Sequence, residues 1–434
     1  MRVKMKIKRL VFILWLIPAF LYSQEKVNLD VKSAVDSAIK NNIPLKQEEI
    51  QLKENERKYE HSWNSFLPSI TAKANVNNNG NLSDLTDNKS SFDTGISANL
   101  NINAGLSQKL ESLKLSFENG KVSYSNAVTQ LENEVTSAFY SLLLLKNQVN
   151  ICEESVKAYK AQYEQTKTKK EKGLAPELDL LSSQLNYETA KIDLRNAEKS
   201  YNNSLNEFLN TIGISLGQNE EVELSGSLDD CFALIEKIDT NVDIEELVNK
   251  NSSIVLLENN LKQTKLNRQQ LYNSTYFPSL NLSANVNPYS YSWGNGSSLE
   301  GNKSWTLTAG LSFSLDSLIP GSSAKDNILD LDDSIESLKL QIEEEKSKLK
   351  LQISQMLKEI ELGKETLENC RLNVELAQKS CQMAEIAYKN GTRDLLSLQN
   401  LQSSLSSAQS QYMNQQLNLI KVLLNYQSLI KQEA

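Results

Sequence analysis

A single histidine and four cysteines in 434 residues leave little material for a histidine-based catalytic dyad or a Cys/His metal cluster. The histidine, His61, stands near Trp63 without the partners that catalysis needs and is read as an ordinary interfacial residue. No catalytic, cofactor-binding or metal-binding residue is assigned, and an enzyme is not expected. Positive charge is also short, since 46 Lys and Arg against 54 Asp and Glu leave a net charge of −8. The basic residues are scattered with no stripe or arm, which argues against a nucleic-acid partner. Beyond Leu21 there is no long apolar run, so the mature chain either stays outside a membrane or crosses one as β-strands.

The N-terminus carries Arg2, Lys4, Lys6, Lys8 and Arg9, followed by an apolar run from Leu10 to Leu21. That run is about 12 residues long, short of the ~20 of a membrane-crossing helix, and the order of charge then grease reads as a secretory signal peptide over 1–23. Cleavage is expected after Ser23, and the lack of a nearby cysteine argues against a lipid-anchored N-terminus.

The rest is one unit written twice. Ser65-Phe66-Leu67-Pro68-Ser69-Ile70, leading to Ala74-Asn75-Val76-Asn77, returns as Thr275-Tyr276-Phe277-Pro278-Ser279-Leu280, leading to Ala284-Asn285-Val286-Asn287. Further on, Cys152, Val156 and Gly173 are matched without a gap by Cys370, Val374 and Gly391. Residues 24–212 form the first repeat, 213–240 a linker, and 241–434 the second repeat.

Strict alternation places strands at about 69–77 and 91–103, and again at about 279–287 and 304–315. Ile70, Ala72, Ala74 and Val76 share one face against Thr71, Lys73, Asn75 and Asn77; Trp305, Leu307, Ala309 and Leu311 likewise oppose Thr306, Thr308 and Ser312. The polar faces are mostly Asn, Ser and Thr, as a water-filled lumen prefers, and aromatics gather at the strand ends. Trp63, Phe66, Tyr276 and Phe277 lie at one end, with Tyr289, Tyr291, Trp293 and Trp305 at the other. Strands of roughly 9–12 residues with such girdles suit a transmembrane β-barrel. Four strands cannot close, so several chains must supply the rest.

No proline interrupts 106–172 or 322–390. At 1.5 Å per residue each is a helix about 100 Å long. Ile353, Met356, Ile360, Gly363, Leu367, Cys370, Val374, Ala377, Cys381, Ala384 and Tyr388 step by three and four without a miss, which is a coiled-coil seam. Val135, Ala138, Leu142, Leu145, Val149, Cys152, Val156, Tyr159 and Tyr163 repeat it in the first half. Return helices at about 177–211 and 394–431 keep the register. Stacked end to end with opening helices at about 29–62 and 243–274, each matches the long helix in height at ~50 Å apiece. Cys152, Cys370 and Cys381 fill small apolar positions of the seams, a common fate of free cysteine. A Cys152–Cys370 bridge is disfavoured, because repeat-equivalent helices should be separated by another helix.

In these features the chain resembles the TolC family of outer-membrane efflux proteins over essentially its whole mature length. The resemblance is carried by the doubled unit, by Phe66-Leu67-Pro68-Ser69 and Tyr276-Phe277-Pro278-Ser279, and by the hairpins Lys172-Gly173-Leu174-Ala175-Pro176-Glu177 and Tyr388-Lys389-Asn390-Gly391-Thr392-Arg393-Asp394. It implies a mainly α chain with a β-barrel part: a homotrimer sharing a twelve-stranded barrel in the outer-membrane lipid and a long periplasmic tunnel of coiled-coil helices. It also implies a periplasmic adaptor and an inner-membrane transporter as partners, with drugs, small molecules or proteins exported through a tripartite pump or a type I secretion system. Gly173, Leu174 and Ala175, with Gly391, Thr392 and Arg393, match the tip turns where adaptors dock. Glu153, Glu154, Glu164, Glu375 and Glu385 lie close above that tip, each an alternative between a gate contact and a solvated face. The linker is acidic at Glu220, Glu221, Glu223, Asp229 and Asp230 and is expected to belt the tunnel, with a reduced C-terminal counterpart after Leu429. The competing expectation is a periplasmic coiled-coil adaptor or scaffold without a pore.

Overall fold

A computed structural model describes residues 27–81, 84–214, 222–227, 242–294, 297–315 and 318–431. The signal peptide and, in the linker, Glu220, Glu221, Asp229, Asp230 and Cys231 lie outside the described residues. The chain opens with strand β1 (Val27–Leu29) and helices α1 (Val31–Asn41) and α2 (Ile43–Glu60). A 3-10 turn at Ser62–Phe66 leads into strands β2 (Ser69–Asn81) and β3 (Asp84–Ile102). The long helix α3 (Leu106–Glu171), its return α4 (Glu177–Thr211) and the short strand β4 (Val222–Leu224) complete the first half. The second half runs α5 (Ile244–Lys250), α6 (Ser252–Tyr276), β5 (Ser279–Gly294), β6 (Ser297–Ser312), α7 (Ser323–Lys389) and α8 (Leu395–Lys431).

Each opening helix is broken where an unbroken one was expected. Asn42 ends α1 and caps α2, its Oδ1 accepting from the Leu45 N–H at 3.0 Å, and Pro44 sits in the first turn of α2, where no amide donor is needed. Asn251 does the same between α5 and α6, accepting from the Ser253 N–H at 3.0 Å. The strands are longer than expected at 13, 19, 16 and 16 residues. Their Asn- and Ser-rich ends, such as Asn77–Asn79 and Ser90–Ser91, continue the β2–β3 ladder past the alternating segment. Apolar alternation marks only the part of a strand that needs an apolar neighbour.

Helix α3 packs against α2 and α4 on one side and against α6 and α8 on the other, and α7 packs against α6 and α8. Four staves result, in the order α2 stacked on α4, α3, α6 stacked on α8, and α7. The stacked joint is specific: the Asn42 Nδ2 donates to the Thr211 carbonyl at 3.2 Å, linking the start of α2 to the end of α4. The broadest core lies at this mid-height, where Ala34, Leu45, Val135, Phe139, Ile212 and Ile420 bury one another. The parallel pair β1–β4 adds Leu29 and Leu224 to it. All eleven residues of the α7 seam are buried or half-buried, as knobs in facing holes require. At Gly363 a side chain would strike Leu419 of α8, whose Cδ1 lies 2.9 Å from where a Cβ would stand.

The sheet has the order β2-β3-β5-β6, every pair antiparallel. In β5, Pro288 cannot donate to the ladder, and both neighbouring registers shift around it. Both outer strands, β2 and β6, have one unpaired edge.

Candidate functional site

In the middle of β3 the polar face is the covered one, the reverse of what a protein surrounded by water needs. Ser97 is 8% exposed and Ile96, its neighbour on the apolar face, is 51% exposed. The apolar side chains Ile70, Val76, Trp305, Leu307 and Leu311 are likewise open. Polar side chains instead bond to one another across strands: Thr71 to Ser97 at 2.9 Å, Asn101 to Asn281 at 2.6 Å, and Ser279 and Asn281 to Ser312 at 2.8 Å. A sheet with its hydrogen-bonded face inward and its apolar face outward fits lipid outside and water within. Aromatic residues edge the apolar face, with Tyr289 and Tyr291 stacked 6.3 Å apart.

At the far end of the staves the two tip turns share one geometry. The Gly173 N–H donates to the Lys170 carbonyl at 2.9 Å and the Leu174 N–H to that of Lys169 at 2.8 Å; in the second turn Gly391 reaches Tyr388 at 3.1 Å and Thr392 reaches Ala387 at 2.9 Å. This double closure of a helix C-terminus needs a left-handed residue, supplied by Gly173 at φ 71° and Gly391 at φ 75°. Leu174, Thr392 and Arg393 are exposed, while Ala175 is half-buried. Pro176 precedes α4, and Asp394 starts α8 by accepting from the Ser397 N–H at 3.0 Å. The Ser397 hydroxyl and then its N–H hold the Asp394 carboxyl below its ordinary value. Lys170 and Glu177 bridge the first turn at 3.0 Å.

The five glutamates near the tip are all exposed. Glu154, Glu375 and Glu385 pair within their own helices with Lys157, Lys379 and Lys389, so within one chain they behave as solvated charges. Gln399 donates to the Ser182 hydroxyl across the two halves at 3.2 Å, and a second contact that joins them here is one the seam pattern stopped short of. Thr166, one step of three beyond Tyr163, is fully buried and shares a hydrogen bond with the Tyr388 hydroxyl at 3.1 Å. Lys169 lies 4.3 Å over the Tyr388 ring and donates to its carbonyl at 3.4 Å. Continuing the 4-3 spacing from Tyr163 would have found Thr166, whereas Lys169 carries no such signal.

Beside this contact a cleft of about 990 Å³ separates the two helical hairpins, lined in part by Tyr159, Gln162, Cys381 and Gln402. Cys152 also lines it, and Cys152, Cys370 and Cys381 are free thiols. Burial pushes the Cys152 and Cys381 thiols above their ordinary range. Among the described residues no group of His, Cys, Asp and Glu could hold a metal ion, and no helix is long and apolar enough to cross a membrane.

A search of curated protein sequences finds no match. Solved structures do match in fold. The open-state Neisseria gonorrhoeae MtrE outer membrane channel superposes with a TM-score of 0.72 at 16% identity, covering 92% of this chain and 88% of that one. The Campylobacter jejuni CmeC outer membrane channel gives 0.68 at 16% identity, over 93% and 84%. The outer membrane protein VceC of Vibrio cholerae gives 0.70 at 11% identity, over 92% and 96%. The family described as outer membrane efflux protein matches residues 34–213 and 265–429, most of both halves. The chain therefore belongs to the outer membrane efflux protein family, and is a TolC-like, non-enzymatic channel of the outer membrane with a large periplasmic helical part.

Proposed function

We propose that three copies of this chain close head to tail into one duct that conducts substrates passively from a periplasmic adaptor and an inner-membrane transporter to the exterior. The observation that carries this reading is the unfinished state of both ends of the chain's architecture. Strand β6 runs antiparallel to β5 and β2 to β3, so β6 of one copy and β2 of the next have the correct polarity to pair. The two end staves are bare in the same sense. Helix α7 exposes Leu340, Leu351, Leu362, Leu376, Met383 and Ile386, and the opposite stave exposes Leu178, Leu185 and Ile192 on α4 with Ile43 and Ile50 on α2. By the ~1.5 Å rise, Met383 and Ile386 stand at the height of Leu178 and Leu185 near the tip, and Leu351 at that of Ile43.

One stave edge complementing the other makes a heterologous interface, which closes into a ring. Two copies would give eight strands, whose interior side chains fill; three give twelve and room for the water that Asn and Ser side chains prefer. The six tip residues Gly173, Leu174, Ala175, Gly391, Thr392 and Arg393 form the surface farthest from the sheet and serve as the adaptor's docking site. Exported drugs, small molecules or proteins, through a tripartite pump or a type I secretion system, are consistent with such a duct.

Planar-bilayer recording of the purified protein tests the reading, with water-filled pores expected. Silence, even after both tip turns are deleted, would overturn it.

A further inference from the structure

We infer that the barrel lumen carries two stacked belts of opposite charge, Asp93 toward the outer girdle and Lys73 one row inward, and that Gly95 keeps the Lys73 belt flat against the wall. The inference rests on the trimeric duct proposed above. Asn75 pairs with Asp93 and Asp93 with Ser290, while Lys73 pairs with Gly95, so Lys73, Asp93 and Gly95 share the polar face. Asp93 is fixed by donors from three strands. The Ser290 Oγ donates to its Oδ1 at 2.6 Å, and the Ser91 Oγ and Asn77 Nδ2 donate to its Oδ2 at 3.0 and 3.3 Å. A carboxylate held this way keeps its position as ions pass.

Lys73 is placed differently. A Cβ built on Gly95 would lie 3.1 Å from the Lys73 Cε and 2.9 Å from the Asn287 Oδ1. The lysine stem therefore crosses strand β3 through the gap left by the missing side chain, toward β5. It forms no ion pair with Asp93, although the two lie in adjacent rows of one face. The rows are two residues apart, about 7 Å along the strand, close to the ~8 Å Debye length at physiological salt. The two rows are therefore only partly screened from each other, and a passing ion meets a field that changes sign along the axis, each row weakening the other. Three protomers would repeat each charge three times around the lumen. Lys89 pairs with Asn79 two rows further out on the same face, so the Asp93 row favours cations between two rows that oppose them.

The test is the reversal potential of the full-length protein in planar bilayers under a KCl gradient. Asp93→Asn should shift selectivity toward chloride, and Lys73→Gln toward potassium, each by about twofold in permeability ratio. Gly95→Ala should lift Lys73 off the wall and lower conductance, and Lys73→Ala in that background should restore it. Asp93→Ser serves as a second neutral variant if Asp93→Asn assembles poorly. Wild-type conductance with unchanged reversal potentials in both charge variants would overturn the belts and leave the duct standing. An absence of wild-type pores would overturn both. Conductance in Gly95→Ala equal to wild type would remove the role given to the glycine.

Discussion

The hydroxyls of Thr166 and Tyr388 lie 3.1 Å apart and join the two sequence repeats one turn short of their tips. Both are buried, and they sit 222 positions apart, so the bond is available only once the four staves have assembled. Tyr388→Phe keeps the ring and its contact with Lys169 but leaves Thr166 without its tyrosine partner. A loss of about 1 kcal/mol is expected; Thr166→Val, which also gives up the hydroxyl's bond to the Gln162 carbonyl, should cost more, and the double variant little more than Thr166→Val alone. Denaturant unfolding in detergent, run as a double-mutant cycle, measures the coupling; additive losses would mean the two hydroxyls act independently.

Three glycines in the same left-handed conformation should differ in tolerance. Gly391 at φ 75° and Gly173 at φ 71° have open space where a Cβ would go, so alanine costs only the backbone penalty of about 1–2 kcal/mol. Gly213, at φ 69°, would bring its Cβ within 2.5 Å of the Asn41 Cβ at the joint between the stacked helices. Gly213→Ala should therefore destabilise more than Gly391→Ala. Equal midpoints in parallel denaturant titrations would show that the joint yields without cost.

What could be read from the sequence was what periodicity encodes. Buried Val135, Leu142, Ile353 and Ile360 were all marked by three-four spacing, because a coiled coil repeats one packing problem many times. The alternating strand cores were legible for the same reason. The breaks at Asn42 and Asn251 were not, since a local cap competes with helix continuation and leaves the apolar spacing on both sides intact. The strand ends beyond Asn77 were missed because polar-on-polar ladders have no alternation. At the tip, glycine and the turn after it identified the bend, but Lys169 over Tyr388 depends on a crossing of helices that no local pattern records. The scaffold alternative needs no exposed Leu307 and Leu311 opposite a hydrogen-bonded polar face, and it gives way to the channel on that point.

The orientation of the sheet makes the two faces of one strand unequal. Leu307 pairs with Ala284 in the middle of the apolar band, and Leu311 pairs with Leu280 near its inner end. Leu307→Arg should weaken barrel assembly by ~2–4 kcal/mol and Leu311→Arg by less, whereas Asn281→Arg or Ser312→Arg should alter conduction and spare assembly. Heat-resistant oligomer on a gel is the readout. If both faces respond alike, the inward and outward assignments are wrong.

The free thiols at Cys152 and Cys381 give a pH-dependent readout of helix packing. Burial raises both, disfavouring the thiolate, which is the reactive form. Alkylation by iodoacetamide at pH 8 should be slower in the folded protein than after denaturation, and the gap should narrow as pH rises toward the folded-state values. A folded rate matching the denatured one at pH 8 would show that the cleft beside these residues exposes them fully.

The tip turns, finally, are argued to serve docking more than folding. Neither Gly173 nor Gly391 has another residue packed over it, and Leu174, at 74% exposed, contributes nothing to the buried seams. Their helix ends are already closed by backbone bonds to Lys169, Lys170, Ala387 and Tyr388, which side-chain changes at Leu174 or Arg393 leave in place. Arg393 is exposed, leaving a planar five-donor group free to pair with carboxylates or carbonyls of a partner. Replacing Leu174 with Asp and Arg393 with Glu converts that surface from apolar and basic to acidic. Export should fall to background while the amount of assembled oligomer in the outer membrane stays near wild type, both measured on the same cells. Loss of the oligomer along with transport would make these turns structural and move the docking surface elsewhere on the staves.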